Sequence, residues 1–250
     1  MKNIIRVNGL CKENILNHVN FEIKQGEIVA IMGPSGSGKS TFLYQLSGMD
    51  KPDAGQVYFD GEDICQYSED QSAKMRLDKM GFVFQQMNML PDLTILENII
   101  FPAKHSLKGR KQSRKSESEL REEAKSLMKK VGIAGLEDRK ITAVSGGQLQ
   151  RACICRALMN QPLLLLADEP TGALNKSSSE EIMEELVSLN REGMSTLIVT
   201  HDSKVASRCD RILFMLDGSI SGEYVFGKYD DSKKQERESQ LSKWLEKQGW

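Results

Sequence analysis

The sequence has no long hydrophobic run. Its longest strongly apolar stretch, Leu163 to Ala167, ends in Asp168-Glu169 and is far too short to span a bilayer. The amino-terminal Met1-Lys2-Asn3-Ile4-Ile5-Arg6 carries no apolar stretch of signal-peptide length. An excess of one charge is also missing. A formal net charge of −1 creates no global field aimed at nucleic acid or an anionic membrane, so no nucleic-acid partner is expected. Paired cysteines are absent too. Cys11, Cys65, Cys153, Cys155 and Cys209 are odd in number and show no CxxC spacing. Cys153 and Cys155 stand two apart on an expected helix, so they diverge rather than share a metal. The expectation is reduced thiols of a cytosolic protein. There is no internal repeat and no low-complexity tract. What remains is an ordinary globular composition, 28% charged and 39% hydrophobic, in 250 residues. That length suits one domain with an insertion, or two small lobes sharing a core.

Against this background three phosphate-handling motifs stand out. They are Gly33-Pro34-Ser35-Gly36-Ser37-Gly38-Lys39-Ser40, Ser145-Gly146-Gly147-Gln148, and Leu163-Leu164-Leu165-Leu166-Ala167-Asp168-Glu169-Pro170. A loop like the first arises by chance in on the order of 1% of chains this long. The conjunction of all three does not.

Short runs rich in β-branched and aromatic residues, Ile4 to Val7, Val19 to Ile23 and Gln56 to Phe59, predict an antiparallel sheet near the start. Glu27 to Met32 predicts a buried parallel strand running into the Gly-rich loop, and Phe42, Leu43 and Leu46 the buried side of the helix after it. Gly81-Phe82-Val83-Phe84 is expected as another buried strand, with further strands at 163–166, 197–200 and 212–216. Ile182, Leu186 and Leu189 mark a helix, and Asp217-Gly218 signals a hairpin turn. From about Asn88 to Asn160 the pattern is helical, with Leu120, Ala124, Leu127, Met128 and Val131 on one face. The expected fold is α/β: a doubly wound, mainly parallel sheet, an N-terminal antiparallel β-subdomain, and a helical subdomain inserted at about 88–160.

The chemistry of each motif follows from its residue types. Gly33, Gly36 and Gly38 let successive N–H groups converge on the β- and γ-phosphates of a nucleotide, and the following helix adds its positive end. Lys39 would bridge phosphate oxygens, Ser40 would offer its hydroxyl to Mg²⁺, and Thr41 would donate near the α-phosphate. Asp168 ends a strand at the carboxyl edge of the sheet, where it can hold Mg²⁺. Glu169 is the candidate general base for the attacking water. Gln85 can orient that water and touch the metal, and His201 can donate to the γ-phosphate. Ser145, Gly146, Gly147 and Gln148 make a second anion-binding helix start. One γ-phosphate hardly needs two from one chain, so the second is expected to reach a nucleotide on a partner copy.

In this order the phosphate loop, Gln85, Ser145 to Gln148, Ala167-Asp168-Glu169-Pro170 and Thr200-His201-Asp202 resemble the ATP-binding-cassette ATPases, over about residues 1–225. Gly81 to Gln85, Ala167 to Leu174, Arg208-Cys209-Asp210-Arg211-Ile212 and the Asp217-Gly218 turn resemble the branch serving macrolide export, lipoprotein release, cell-division and bacitracin-type peptide-resistance permeases. The polar composition and spacing of 227–250 lead us to expect a helical tail there, and the resemblance implies a P-loop NTPase domain over 1–226. It implies a homodimer clamping two ATP between phosphate loop and Ser145-Gly146-Gly147, and ATP hydrolysis with Mg²⁺. It also implies a separate integral-membrane permease, a place at the cytoplasmic face of the membrane, and export of or resistance to an antimicrobial peptide or related compound. The permease would dock beside Gln85 on Met87, Asn88, Met89, Leu90 and Leu93, unless those residues are core. A non-transport cassette ATPase and an ATP-dependent regulatory module are the alternatives.

Two positions depart from the family pattern. No aromatic residue stands between Val7 and Val19 to stack on adenine, only Cys11, Glu13, Asn14 and His18 among the candidates, and the loop after Glu169 ends Ala173-Leu174-Asn175 rather than in aspartate. Two segments keep open readings. The basic run from Lys104 to Lys115 is a solvated loop or a contact for lipid headgroups or the permease. Leu241, Trp244 and Leu245 in the tail pack on the body or on a partner.

Overall fold

The computed structural model describes residues 2–106 and 115–250. The basic run singled out above lies largely outside them.

The first sheet is antiparallel, as its alternating runs require. β1 (Asn3–Lys12) pairs with β2 (Leu16–Lys24) and with β4 (Ala54–Phe59), and the short β5 (Glu62–Asp63) completes the order β2-β1-β4-β5. The second sheet is built on β3 (Ile28–Met32), buried at every residue because strands cover both its edges and helices or the first sheet cover its faces. Around it stand β6 (Met80–Phe84), β7 (Leu164–Asp168), β8 (Ser195–Val199), β9 (Arg211–Leu216) and β10 (Ser219–Val225), in the order β10-β9-β3-β8-β7-β6. All neighbours are parallel except β9 and β10. Those two form a hairpin through Asp217 and Gly218, with φ of 47° and 75°, the positive pair that a two-residue turn of matching twist demands.

β6 corrects an expectation. It is an edge strand, and only alternate side chains are covered: Val83 is buried while Phe82 and Phe84 are half-buried. Their rings stack 5.7 Å apart along a groove outside the sheet.

The helices are α1 (Lys39–Leu46), α2 (Glu69–Lys79), α3 (Ile95–His105), α4 (Glu117–Lys130), α5 (Gly146–Leu158), α6 (Lys176–Arg191), α7 (Ser203–Ala206) and α8 (Lys234–Lys247). α2 was not apparent from hydrophobic periodicity, because it buries only Ser72 and Met75. Helices α2, α3, α4 and α5 each start with a reciprocal capping box, at Ser68/Gln71, Thr94/Glu97, Ser116/Glu119 and Ser145/Gln148. Helices α3, α4 and α5 share a core of their own around Ile99, Ala124, Met128 and Ala152. The tail is not free: α8 buries Leu241 and Leu245 against the second sheet, and Trp244 meets Phe214 edge-on at 6.4 Å.

Burial raises the Cys153 thiol to about 11 and the Cys155 thiol to about 12. Among the described residues no disulfide or metal cluster forms, and no helix is long and apolar enough to cross a membrane.

Candidate functional site

Parallel register brings the carboxyl ends of four strands into one row. Phe84 pairs with Asp168, Asp168 with Val199, and Val199 with Ile31. The residues that follow, Gln85, Glu169 and Thr200, therefore emerge side by side at the edge where such sheets hold ligands. The Glu169 N–H donates to the Val199 carbonyl (2.9 Å) and the Thr200 N–H to that of Ile31 (3.1 Å), which carries the strand alignment one step past each end.

The phosphate loop springs from β3 at the same edge. Gly33 sits at φ 146°, and a Cβ there would lie 2.0 Å from the Met215 carbonyl oxygen. That proximity, more than flexibility, makes glycine obligatory. At the loop centre the Lys39 ammonium donates to the carbonyls of Gly33 (2.8 Å) and Pro34 (2.7 Å). Burial holds the lysine below its usual range, against the attraction of Glu169 and Asp168.

Asp168 faces the loop. The Ser40 hydroxyl donates to its Oδ1 at 3.4 Å. Burial pushes this carboxyl above its ordinary range, the Ser40 hydrogen bond opposes the shift, Glu169 adds to it and Lys39 opposes it. Ser40 and Asp168, in contact here, offer oxygen donors, as does the Gln85 amide carbonyl, and oxygen donors of this kind suit Mg²⁺ rather than a softer metal. Gln85 lies against the loop after Glu169, its Nε2 2.9 Å from where a Gly172 side chain would begin.

Glu169 adopts φ 48°, an uncommon conformation for a residue with a side chain. There its Oε1 meets His201 Nδ1 at 2.8 Å. The glutamate side chain is 17% exposed and the histidine 64%, so the pair sits at the mouth of the site with the imidazole outermost.

The second anion-binding helix start lies elsewhere. Ser145 Oγ accepts from the Gln148 N–H (3.3 Å), and Gln148 Oε1 accepts from the Ser145 N–H (2.9 Å), so the Gln148 amide is engaged in capping α5. A Cβ on Gly147 would meet Ser178 Oγ at 2.8 Å, whereas one on Gly33 would meet Met215 and one on Gly38 would meet Ile15 and Leu16. The sequence-predicted residues thus fall into two groups: the phosphate loop, Gln85, Asp168, Glu169 and His201 in one, and Ser145 to Gln148 in the other. No hydrogen bond joins the groups among the described residues.

Several features escaped sequence reasoning. Asn175, where the family carries aspartate, still caps α6: its Oδ1 accepts from the Ser178 N–H at 2.9 Å. The Arg156 guanidinium donates to Asn88 O (2.6 Å) and Met87 O (2.8 Å), pinning the segment after Gln85 to α5. Of the five residues expected beside Gln85, Asn88 and Leu90 line the groove, while Met89 packs into the helical core. Periodicity could not separate these cases, because the segment is irregular.

Residues 16–172 match the ABC transporter family. The chain is 43% identical over 238 residues to the ABC transporter ATP-binding protein MJ0796 of Methanocaldococcus jannaschii, covering 92% of this chain and 98% of that one. It is 45% identical over 206 residues to the macrolide export ATP-binding/permease protein MacB of a Shewanella species, covering 82% of this chain but 30% of that protein. The dimeric structure of the MJ0796 cassette superposes with a TM-score of 0.81 at 40% identity, over 90% of this chain and all of that one. A dimeric post-hydrolysis state of MJ0796 bound to ADP and Pi gives 0.80 at 39% identity, with the same coverage. The chain belongs to the ABC transporter family, as an ATP-binding cassette with ATPase activity.

Proposed function

We propose that two copies of this chain clamp two ATP molecules and use their hydrolysis to drive a separate membrane permease. The observation that carries the reading is the Glu169–His201 pair at 2.8 Å, at the edge where Asp168 meets the phosphate-loop helix. The phosphate loop from Gly33 to Thr41 binds the phosphates of one ATP, and Ser145, Gly146 and Gly147 of the other copy close over it. Gln148 supports that closure through its cap rather than as a ligand. Glu169 accepts the proton of the attacking water, which Gln85 orients, and His201 steadies the γ-phosphate charge. Ser40, Asp168 and Gln85 would hold Mg²⁺, which would supply charge neutralisation of the phosphates. The post-hydrolysis dimer of MJ0796 supports the paired arrangement.

With no aromatic platform upstream, the base lies against Ile15, 41% exposed on a cavity of about 620 Å³ that also includes Gly36. A permease segment enters the apolar groove of about 480 Å³ formed by Phe82, Phe84, Leu90, Phe101 and Met49, and so holds the chain at the cytoplasmic face of the membrane. MacB, in which cassette and permease share one protein, supports a permease partner and an export role. The substrate class is an antimicrobial peptide or a related membrane-active compound, recognised by the permease.

Affinity purification from native membranes, with mass spectrometry of the co-purifying proteins, tests this. A permease with a large extracytoplasmic domain is expected. Ribosomes or DNA without a membrane protein would replace transport by a non-transport role.

A further inference from the structure

His201 stands at the start of a segment anchored at both ends. Upstream, the Thr200 N–H joins the central sheet through Ile31 O, and the Thr200 hydroxyl accepts from the Asp202 N–H at 3.0 Å. The chain then makes the single turn of α7 and reaches Ser207, Arg208 and Cys209, all buried. Downstream, the Asp210 N–H donates to Ile28 O (2.8 Å) and Arg208 Nη1 to Glu180 O (3.2 Å), and the C-terminal helix adds a further anchor. Arg237 of α8, 4% exposed, donates from Nε to Ser207 O (2.8 Å) and from Nη2 to Cys209 O (2.5 Å). Its Nη1 donates to Gly227 O and Lys228 O, both at 3.2 Å, and its guanidinium lies over the rings of Phe226 (4.3 Å) and Tyr229 (5.2 Å). One planar fork thus ties three segments together. The same helix reaches the site itself: Lys234 and Glu238 line a cavity of about 270 Å³ with Glu169 and His201.

We propose that α8 is a strut for the catalytic histidine and that Arg237 is its positioning residue, acting through the Ser207 and Cys209 carbonyls. Guanidinium geometry is what the role requires. It holds several carbonyls in fixed directions at once, whereas a lysine ammonium keeps the charge but cannot span them. With the fork lost, the Ser207 and Cys209 carbonyls lose their tie to α8, the segment is held by the sheet at its two ends and by the Arg208–Glu180 contact alone, and the His201 ring is less firmly fixed against Glu169. Displacements of about 1 Å in a catalytic group cost up to roughly a hundredfold in rate.

The inference rests on the role assigned to His201, so the test separates the two. Arg237→Lys and His201→Ala are compared with the wild-type full-length chain by ATPase kinetics, and their histidine rings by ¹⁵N NMR. The chain has three histidines, and His18 and His105 serve as internal controls outside the strut. Arg237→Lys is expected to lower kcat about tenfold with KM for ATP within twofold, and to broaden or shift the His201 ring signals alone. If all three histidines shift together, Arg237 merely maintains the fold and the proposal fails. It fails equally if His201→Ala abolishes turnover while Arg237→Lys retains wild-type kcat and ring signals. Full turnover in His201→Ala would instead remove the reading of the site on which the proposal stands.

Discussion

Glu169 and His201 lie 32 residues apart in the chain and meet through Oε1 and Nδ1 at 2.8 Å. Neither side chain chooses this geometry alone. The left-handed backbone of Glu169 turns its carboxylate along the sheet edge, and the Val199–Asp168 register brings His201 beside it. Under the proposed function, the contact places the candidate proton acceptor next to the candidate donor to the γ-phosphate.

Glu169→Gln removes the acceptor while keeping the size of the side chain. Turnover is expected to fall by about 10²–10⁴-fold, the usual worth of a general base. ATP binding persists, so an ATP-bound dimer accumulates, visible by phosphate release together with light scattering. A monomer at saturating ATP would reject the shared site.

Asp168→Asn separates stability from function. The folded-state value of the aspartate is raised, chiefly by burial. Its favourable contribution to stability is therefore complete below the ordinary carboxylate value of 3.8 and is lost as pH rises through the raised value. At pH 7 the ionised carboxylate costs stability in the nucleotide-free protein. Neutralising it is expected to raise Tm by about 1–4 °C at pH 7, with the difference shrinking as pH falls toward 4. Mg²⁺-dependent hydrolysis falls in the same variant. A lower Tm for Asp168→Asn at pH 7 would contradict the burial argument.

Ile15→Tyr restores a ring at the base end of the cavity. Ring stacking adds about 0.5–1.5 kcal/mol, so KM for ATP should drop by about 2–12-fold with kcat little changed. Measured with ATP and GTP in parallel, the variant reports whether the base rests there. An unchanged KM for both places the base elsewhere.

Much of this was legible from residue order. The runs at Ile4 to Val7 and Glu27 to Met32 announced two kinds of sheet, because alternation marks a half-buried strand and a continuous apolar run marks a central one. The same rule misplaced Gly81 to Phe84. An edge strand facing an apolar groove reads like a buried one, since both present phenylalanine and valine. Helix α2 was silent because it is nearly all polar, although the capping-box letters Ser68 and Gln71 were present. Gln148 stood in a phosphate-binding motif, yet its side chain turns back to cap its own helix. The tail periodicity at Leu241, Trp244 and Leu245 announced an amphipathic helix, but nothing local could say which surface would cover it.

The sequence by itself determined the chemistry: a glycine loop with Lys39, carboxylates at the end of an apolar strand, and a second serine-glycine helix start. Those are short-range patterns, and backbone freedom, charge and helix ends act over a few residues. Tertiary structure decided which of these groups share a site. It brought Gln85, Glu169 and Thr200 into one row with His201 next in the chain, kept Ser145 apart from the phosphate loop, and packed the polar tail against the second sheet. The physical reason is that strand register and helix packing are set by contacts between distant segments, whose free energy no local stretch of chain contains.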